Sequence, residues 1–249
     1  MAGADPVTKS ETVSAALGQT KNLTLRIISS AVLAPLAIAA AYFGGWPFRL
    51  FWIAAAIGVF YEWMQLVAQP SDGFALRRPG WIMAGIVYSA LLMAAPVLLR
   101  EDAEYGFIAI LMLFAIVWGT DIVGYFVGRA VGGPKLAPAI SPNKTWSGAI
   151  AGAIAAMAGA IMVVVYSGLR PSLTLAMISL VLSACSQAGD LLESKLKRMF
   201  GAKDAGSLIP GHGGLMDRLD GFWAAAVAAA LFGVLRGGLN SPAHGILVW

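Results

Sequence analysis

Seven long apolar runs decide what this chain can fold into: Ile27–Phe43, Leu50–Val67, Trp81–Leu99, Phe107–Val117, Ala149–Tyr166, Leu173–Cys185 and Phe222–Leu235. A helix needs about 17–25 mainly apolar residues to cross a bilayer; several runs reach that length, and the rest do so with their weakly polar flanks. In hydrocarbon a segment must satisfy its own backbone N–H and C=O groups, so each run is expected to be helical. Charged residues make up only 12% of the chain, against about 25% in a soluble domain. Too little polar surface remains to face water all round. The expected fold class is all-α, a polytopic transmembrane helical bundle of about seven helices, with a range of seven to nine for short or re-entrant segments. Residues 1–24 read as a disordered cytoplasmic tail without the apolar h-region of a cleavable signal. Residues 25–249 read as a single integral-membrane domain. The one cysteine, Cys185, excludes an internal disulfide framework and reads as a small buried hydrophobe.

The basic residues orient the bundle. With the N-terminus in the cytoplasm, 13 of the 17 Lys and Arg residues fall in inside segments, and Arg49, Arg100, Arg170 and Arg236 fall outside. The positive-inside rule favours that orientation. It places three polar segments on the cytoplasmic side: Trp118–Arg129, Gly132–Gly148 and Asp190–Gly221.

On a helix through Leu180–Phe200, Ser183, Ser186, Gln187, Asp190, Glu193, Ser194 and Lys197 share one face. A carboxylate at membrane depth costs roughly 2.5 kcal/mol or more, so this face must meet other helices or a polar cavity. An interhelical hydrogen-bond seam, closed by a Glu193–Lys197 pair, accounts for the stripe alone. It does not account for the next stretch, "KDAGSLIPGHGGLMDRLDG", which packs three aspartates, a histidine, a lysine, an arginine and five glycines into Lys203–Gly221. Asp217 and Asp220 are spaced to point the same way at the start of the last span; either could instead cap that helix. Pro210, Gly211, Gly213 and Gly214 allow a tight turn that brings N–H groups close to a ligand. Lys197, Arg198, Lys203 and Arg218 surround the acids with positive charge. Clustered carboxylates without thiolates suit a hard cation such as Mg²⁺, and hard metal, Lys/Arg and a Gly-rich turn together suit phosphate chemistry.

Three features stand beside this core. "GGPKLAPAISPNKTWSG", Gly132–Gly148, places Ser141, Lys144 and Thr145 just before a span, where turn chemistry or anion binding would serve. Asp121 lies about two turns inside its span; an intramembrane acid is functional by default, the alternative being a structural hydrogen bond. His212, between glycines, would contact a phosphate or shape the turn. Glu62 is expected near a helix end, with Tyr61 and Trp63 as interfacial anchors.

Read as a whole, Ser194–Arg198, Lys203-Asp204 and Ile209–Asp220 resemble the signature of the phosphatidate cytidylyltransferase family, also called CDP-diacylglycerol synthases. The match is unbroken over 27 residues, and "KLAPAISPNKTWSG" and "SQAGDLLESKLKR" extend the resemblance to about Asp121–Phe222. It implies an integral membrane nucleotidyltransferase of phospholipid biosynthesis, joining CTP to phosphatidic acid and releasing pyrophosphate. The implied metal is Mg²⁺, one or two cations per site, held by Asp190 and Asp217 with Asp220 assisting. The implied catalytic set is Asp190, Ser194, Lys197, Arg198 and Asp217. Substrate binding would fall to Asp121, Ser141, Lys144, Thr145, Lys203, His212, Gly213, Gly214 and Arg218. The expected partners are the two substrates and membrane lipids, with no nucleic acid, and one chain or a homodimer as the unit. The expected location is a bacterial-type inner membrane, the site facing the cytoplasm.

Two other classes are weaker. A CDP-alcohol phosphotransferase would share Asp217-x-x-Asp220-Gly221 but needs a second Asp pair, whereas Ala224-Ala225-Ala226 and an apolar run follow. A transporter would want polar sites at mid-depth or on both faces, and these lie on one.

Overall fold

The computed structural model describes residues 31–68, 78–202, 204–206, 208–209 and 213–249. Eight helices are present among them: α1 (Ala31–Phe43), α2 (Gly45–Ala68), α3 (Arg78–Arg100), α4 (Gly106–Val131), α5 (Trp146–Tyr166), α6 (Leu173–Met199), α7 (Met216–Gly237) and α8 (Pro242–Leu247). The six from α2 to α7 are long and apolar enough to cross a membrane; the described part of α1 is shorter. The chain is an integral membrane protein with an all-α bundle. Every expected apolar run lies in a helix so far as its residues are described, α4 and α6 reach well past the runs that announced them, and α8 was not anticipated. The expected tail, residues 1–24, lies outside the described residues.

Aromatic side chains tie α7 to the rest of the bundle. Trp52 of α2 stacks on Phe222 of α7 with ring centroids 4.8 Å apart, and Phe222 also meets Phe114 of α4 at 5.5 Å. Tyr88 of α3 stacks on Trp223 at 4.3 Å, and the Trp223 indole N–H donates to the Tyr88 carbonyl at 3.0 Å. Such pairs add about 0.5–1.5 kcal/mol each beyond the area they bury. Helix α7 is thereby fixed against three neighbours before any charged group is considered.

The opposite end of the bundle has its own ties. Arg100 donates to the carbonyls of Ala41 and Tyr42, Arg49 pairs with Glu101 at 2.5 Å, and the His244 N–H donates to buried Asp102 at 3.0 Å. Arg49 and Arg100, both assigned to one face by charge, do sit together.

Between α4 and α5 the backbones themselves touch. A Cβ on Gly148 would lie 2.5 Å from the Gly124 carbonyl oxygen, and one on Gly152 would lie 2.6 Å from that of Thr120. Gly124-x-x-x-Gly128 and Gly148-x-x-x-Gly152 face each other, the small-residue spacing that lets membrane helices approach closely. The composition gives no hint of this pairing, though the spacing itself was there to be read.

A two-stranded hairpin joins these helices: β1 (Lys135–Ala137) runs antiparallel to β2 (Ser141–Thr145), with Lys135 opposite Thr145 and Ala137 opposite Ser141. The Ser-Pro-Asn stretch is thus a strand rather than a simple turn, Pro142 being tolerated because a two-stranded ribbon is all edge. Thr145 ends the strand and caps α5, its hydroxyl accepting the Gly148 N–H at 3.2 Å.

Replacing Gly152 by leucine should drive α4 and α5 apart. Overpacking of this kind is expected to lower the apparent Tm in detergent by roughly 3–10 °C, measured by intrinsic fluorescence; an unchanged Tm would show that the helices are not in backbone contact.

Candidate active site

Helices α6 and α7 run side by side where their polar residues lie, and small residues bring them close. A Cβ on Gly189 would meet the Asp220 carbonyl oxygen at 2.6 Å, and one on Gly221 would meet the Ser186 hydroxyl at 2.7 Å. Four carboxylates therefore share one seam, Asp190 and Glu193 from α6, Asp217 and Asp220 from α7. Like charges so placed repel unless cations and N–H groups divide them.

The first compensating cation is Lys197. Its ammonium pairs with Glu193 one turn back on α6 at 2.6 Å and with Asp217 of α7. Glu193 is 1% exposed, and neither of its oxygens receives an aligned hydrogen bond, so this ion pair is its main compensation. Asp217 is better supplied. It accepts the N–H of Gly214 at 2.9 Å and of Ala205 at 3.1 Å besides the lysine. Hydrogen bonds to a charged group are worth about 1.5–3 kcal/mol each, so Asp217 stands as a fixed anion.

The second cation comes from the hairpin. Lys144 of β2 pairs with Asp190, and Ser194, one turn further along α6, lies 3.4 Å from the same carboxylate. Asp190 is also within electrostatic reach of Asp121 and Asp220, and Lys144 and Arg218 act on Asp121. Asp121 is exposed, and Asp190 and Asp220 keep accessible surface, unlike Glu193. Three helices and a strand thus bring acids and a lysine to one open face.

The carboxylates sort into two linked sets. Lys144 pairs with Asp190 and acts electrostatically on Asp121 and Asp220, while Glu193 and Asp217 flank Lys197, and Glu193 couples electrostatically to Asp220 between the two sets. Asp190 and Asp217, expected as joint ligands, each hold a lysine of their own. Among the described residues, no three acidic, histidine or cysteine side chains converge on a point where one metal ion would bind.

The remaining expected residues are distributed as follows. Thr145 is buried as the α5 cap, and Ser141 sits further back in the hairpin opposite Ala137. Arg198 is exposed and reaches toward the Ala202 carbonyl at 3.5 Å. The Gly214 N–H is engaged by Asp217, and the Gly213 carbonyl accepts the Ile209 N–H at 3.1 Å. Lys203 and His212 lie outside the described residues. On α6 the other half of the polar stripe is a seam after all: Ser183 shares a 2.7 Å hydrogen bond with Thr120 of α4, and Gln187 donates to the Ala149 carbonyl at 3.3 Å.

Of the two aromatics expected as interfacial anchors, Tyr61 is exposed but Trp63 is not an anchor. Glu62 is fully buried, and Trp63, 4% exposed, donates its indole N–H to the Trp81 carbonyl at 2.8 Å. Only the unusual presence of an acid inside an apolar run pointed to Glu62; its partners are backbone groups more than 140 residues away, which no local pattern reveals.

The chain as a whole is similar to known proteins. A model of the cytidylyltransferase family matches residues 73–235, which takes in both lysine–carboxylate sets. A phosphatidate cytidylyltransferase of Brucella abortus biovar 1 (strain 9-941) is 42% identical over 254 aligned positions, covering 86% of this chain and 94% of the relative. One of Rickettsia bellii (strain RML369-C) is 33% identical, covering 81% and 87%. One of Bacillus subtilis (strain 168) is 38% identical over 60% of this chain and 56% of its own length. With a family match across most of the chain and two of these relatives aligned along most of their length, this chain belongs to the cytidylyltransferase family.

Proposed function

We propose that this protein transfers the cytidylyl group of CTP to phosphatidic acid, giving CDP-diacylglycerol and pyrophosphate. The observation that carries this reading is the pair of lysines, Lys144 with Asp190 and Lys197 with Asp217, held at one end of an apolar bundle. Two cations in a field of carboxylates can receive two phosphates; the surrounding apolar helices can receive the acyl chains. The relatives named phosphatidate cytidylyltransferase support the same substrates.

The reaction needs little covalent help. A phosphate monoester oxygen of phosphatidic acid attacks the α-phosphorus of CTP; a new P–O bond forms as the bond to the bridging oxygen breaks, and that electron pair leaves with pyrophosphate. The nucleophile is already anionic at neutral pH, so no general base is required. The obstacle is the approach of two polyanions, which positioning and charge stabilisation overcome. Lys197, held by Glu193 and Asp217, would present one fixed positive charge, with Arg198 nearby on the same helix. Lys144, on the hairpin, would present another beside Asp190 and Ser194.

Mg²⁺ suits this donor set. It binds through one or two carboxylates and completes its shell with water and substrate phosphates, so the absence of a three-acid cluster among the described residues is no obstacle. Asp190 and Asp121 keep accessible surface for it, with Asp220 in electrostatic reach of both, whereas Asp217 is largely engaged by Lys197 and backbone N–H groups. Bound there, the cation would neutralise triphosphate and pyrophosphate charge. The site is assigned to the cytoplasmic face of the inner membrane, because CTP is cytoplasmic and the excess of Lys and Arg lies on that side.

Purified protein in detergent, given CTP, phosphatidic acid and Mg²⁺, should form a CDP-lipid, and chelation of the metal should abolish it. Lys197→Ala and Asp217→Asn should each lower turnover by about 10²–10³-fold, the scale of losing one transition-state electrostatic contact, while the protein still inserts. Wild-type-like turnover in both would refute the reading. For orientation, a Cys185→Ser background carrying Ala139→Cys should react with an impermeant thiol reagent only from the cytoplasmic side, and one carrying Arg170→Cys only from the opposite side.

A further inference from the structure

Glu62 is an acid near this site that the proposed chemistry leaves without a task. It is fully buried, and among the described residues no ion pair includes it. Among the described residues its hydrogen-bond partners are backbone N–H groups of the segment entering α7. Oε1 accepts from Leu215 at 2.9 Å and from Leu208 at 3.4 Å, and Oε2 accepts from Met216 at 2.8 Å. Leu215 and Met216 open α7, whose own residues supply no side-chain N-cap. The first N–H groups of a helix lack partners within it and form the positive end of its dipole. Glu62 therefore caps α7 from a different helix.

Two glycines are fitted to the same carboxylate. A Cβ on Gly206 would lie 2.6 Å from Oε1, and one on Gly214 would lie 2.8 Å from Oε2 and 2.9 Å from an Asp217 oxygen. Gly214 thus backs onto Glu62 while its N–H goes to Asp217. The glycines serve here to wrap the chain around a buried anion.

We propose that Glu62 is a positioning residue: it fixes the described parts of 204–216 and the first turn of α7, so that Asp217 meets Lys197. The inference rests on the proposed cytidylyltransfer for its catalytic consequence, though not for its structural one. Glu62→Gln keeps the shape, but its amide group turns N–H donors toward N–H donors. Hydrogen exchange of the Leu208, Leu215 and Met216 amides, read by mass spectrometry on the full chain in detergent, should quicken by about 10–100-fold while the spans stay protected. Turnover per folded molecule should fall about tenfold or more with KM for CTP within about twofold, since an interaction that only aligns the site appears in kcat. A purely structural role would lower the folded fraction and leave kcat per folded molecule unchanged. Gly206→Ala, which crowds Glu62 without touching Asp217, should reproduce both effects, and it decides the matter if Glu62→Gln does not fold. Unchanged exchange at these amides, or local opening with unchanged kcat, would overturn the inference. If the wild type makes no CDP-lipid, the proposed function fails, while the exchange measurement still judges whether Glu62 holds the loop.

Discussion

Acids and cations held among apolar helices govern this structure. An unpaired buried charge is costly enough that it would neutralise or refuse burial. Here the acids on the α6/α7 seam and at its rim are divided by two lysines from different elements and by a set of loop N–H groups. Each cation therefore compensates acids of the bundle in addition to the role toward phosphate proposed for it. That double role explains why the loop between α6 and α7 is rich in glycine and yet well bonded: its N–H groups must reach carboxylates that come from elsewhere.

The rest of the bundle reads as a frame for that seam. Trp52, Tyr88 and Phe114 press on the adjacent aromatics Phe222 and Trp223 just beyond Asp220 and fix the register of α7. On the other flank, glycine-to-backbone contact between α4 and α5 lets Asp121 and the hairpin lysine approach the same face. Hydrophobic packing in a membrane gives little directional preference, because lipid tails are as apolar as the side chains they would replace. Ring stacking and close backbone approach supply the missing direction.

Much of this was legible in the sequence because it follows local rules. Apolar runs locate helices by length alone, and the stripe from Ser183 to Lys197 announces a face turned away from lipid. The stripe proved to be two things at once, a hydrogen-bonded seam at Ser183 and Gln187 and a charged site from Asp190 onward. Periodicity places residues on a face without saying which neighbour the face meets, so it could not separate the halves. The expectation that Asp190 and Asp217 act together came from the family resemblance and not from periodicity; in the structure each acid has a lysine of its own. The choice is made by the hairpin, whose Lys144 arrives from outside the helix on which Asp190 was read.

Glu62 marks the boundary of such reading. Within its own helix it has no basic partner that spacing could supply, and its aromatic neighbours suggest an interface. What gives it a role is the free N-terminus of α7, which in turn lacks a cap of its own. Two local irregularities, an acid among hydrophobes and an uncapped helix start, resolve each other only in three dimensions. Helix starts without a capping side chain are thus places to look for an acid elsewhere in a membrane chain, because both the dipole and the unpaired N–H groups require an acceptor that lipid does not provide.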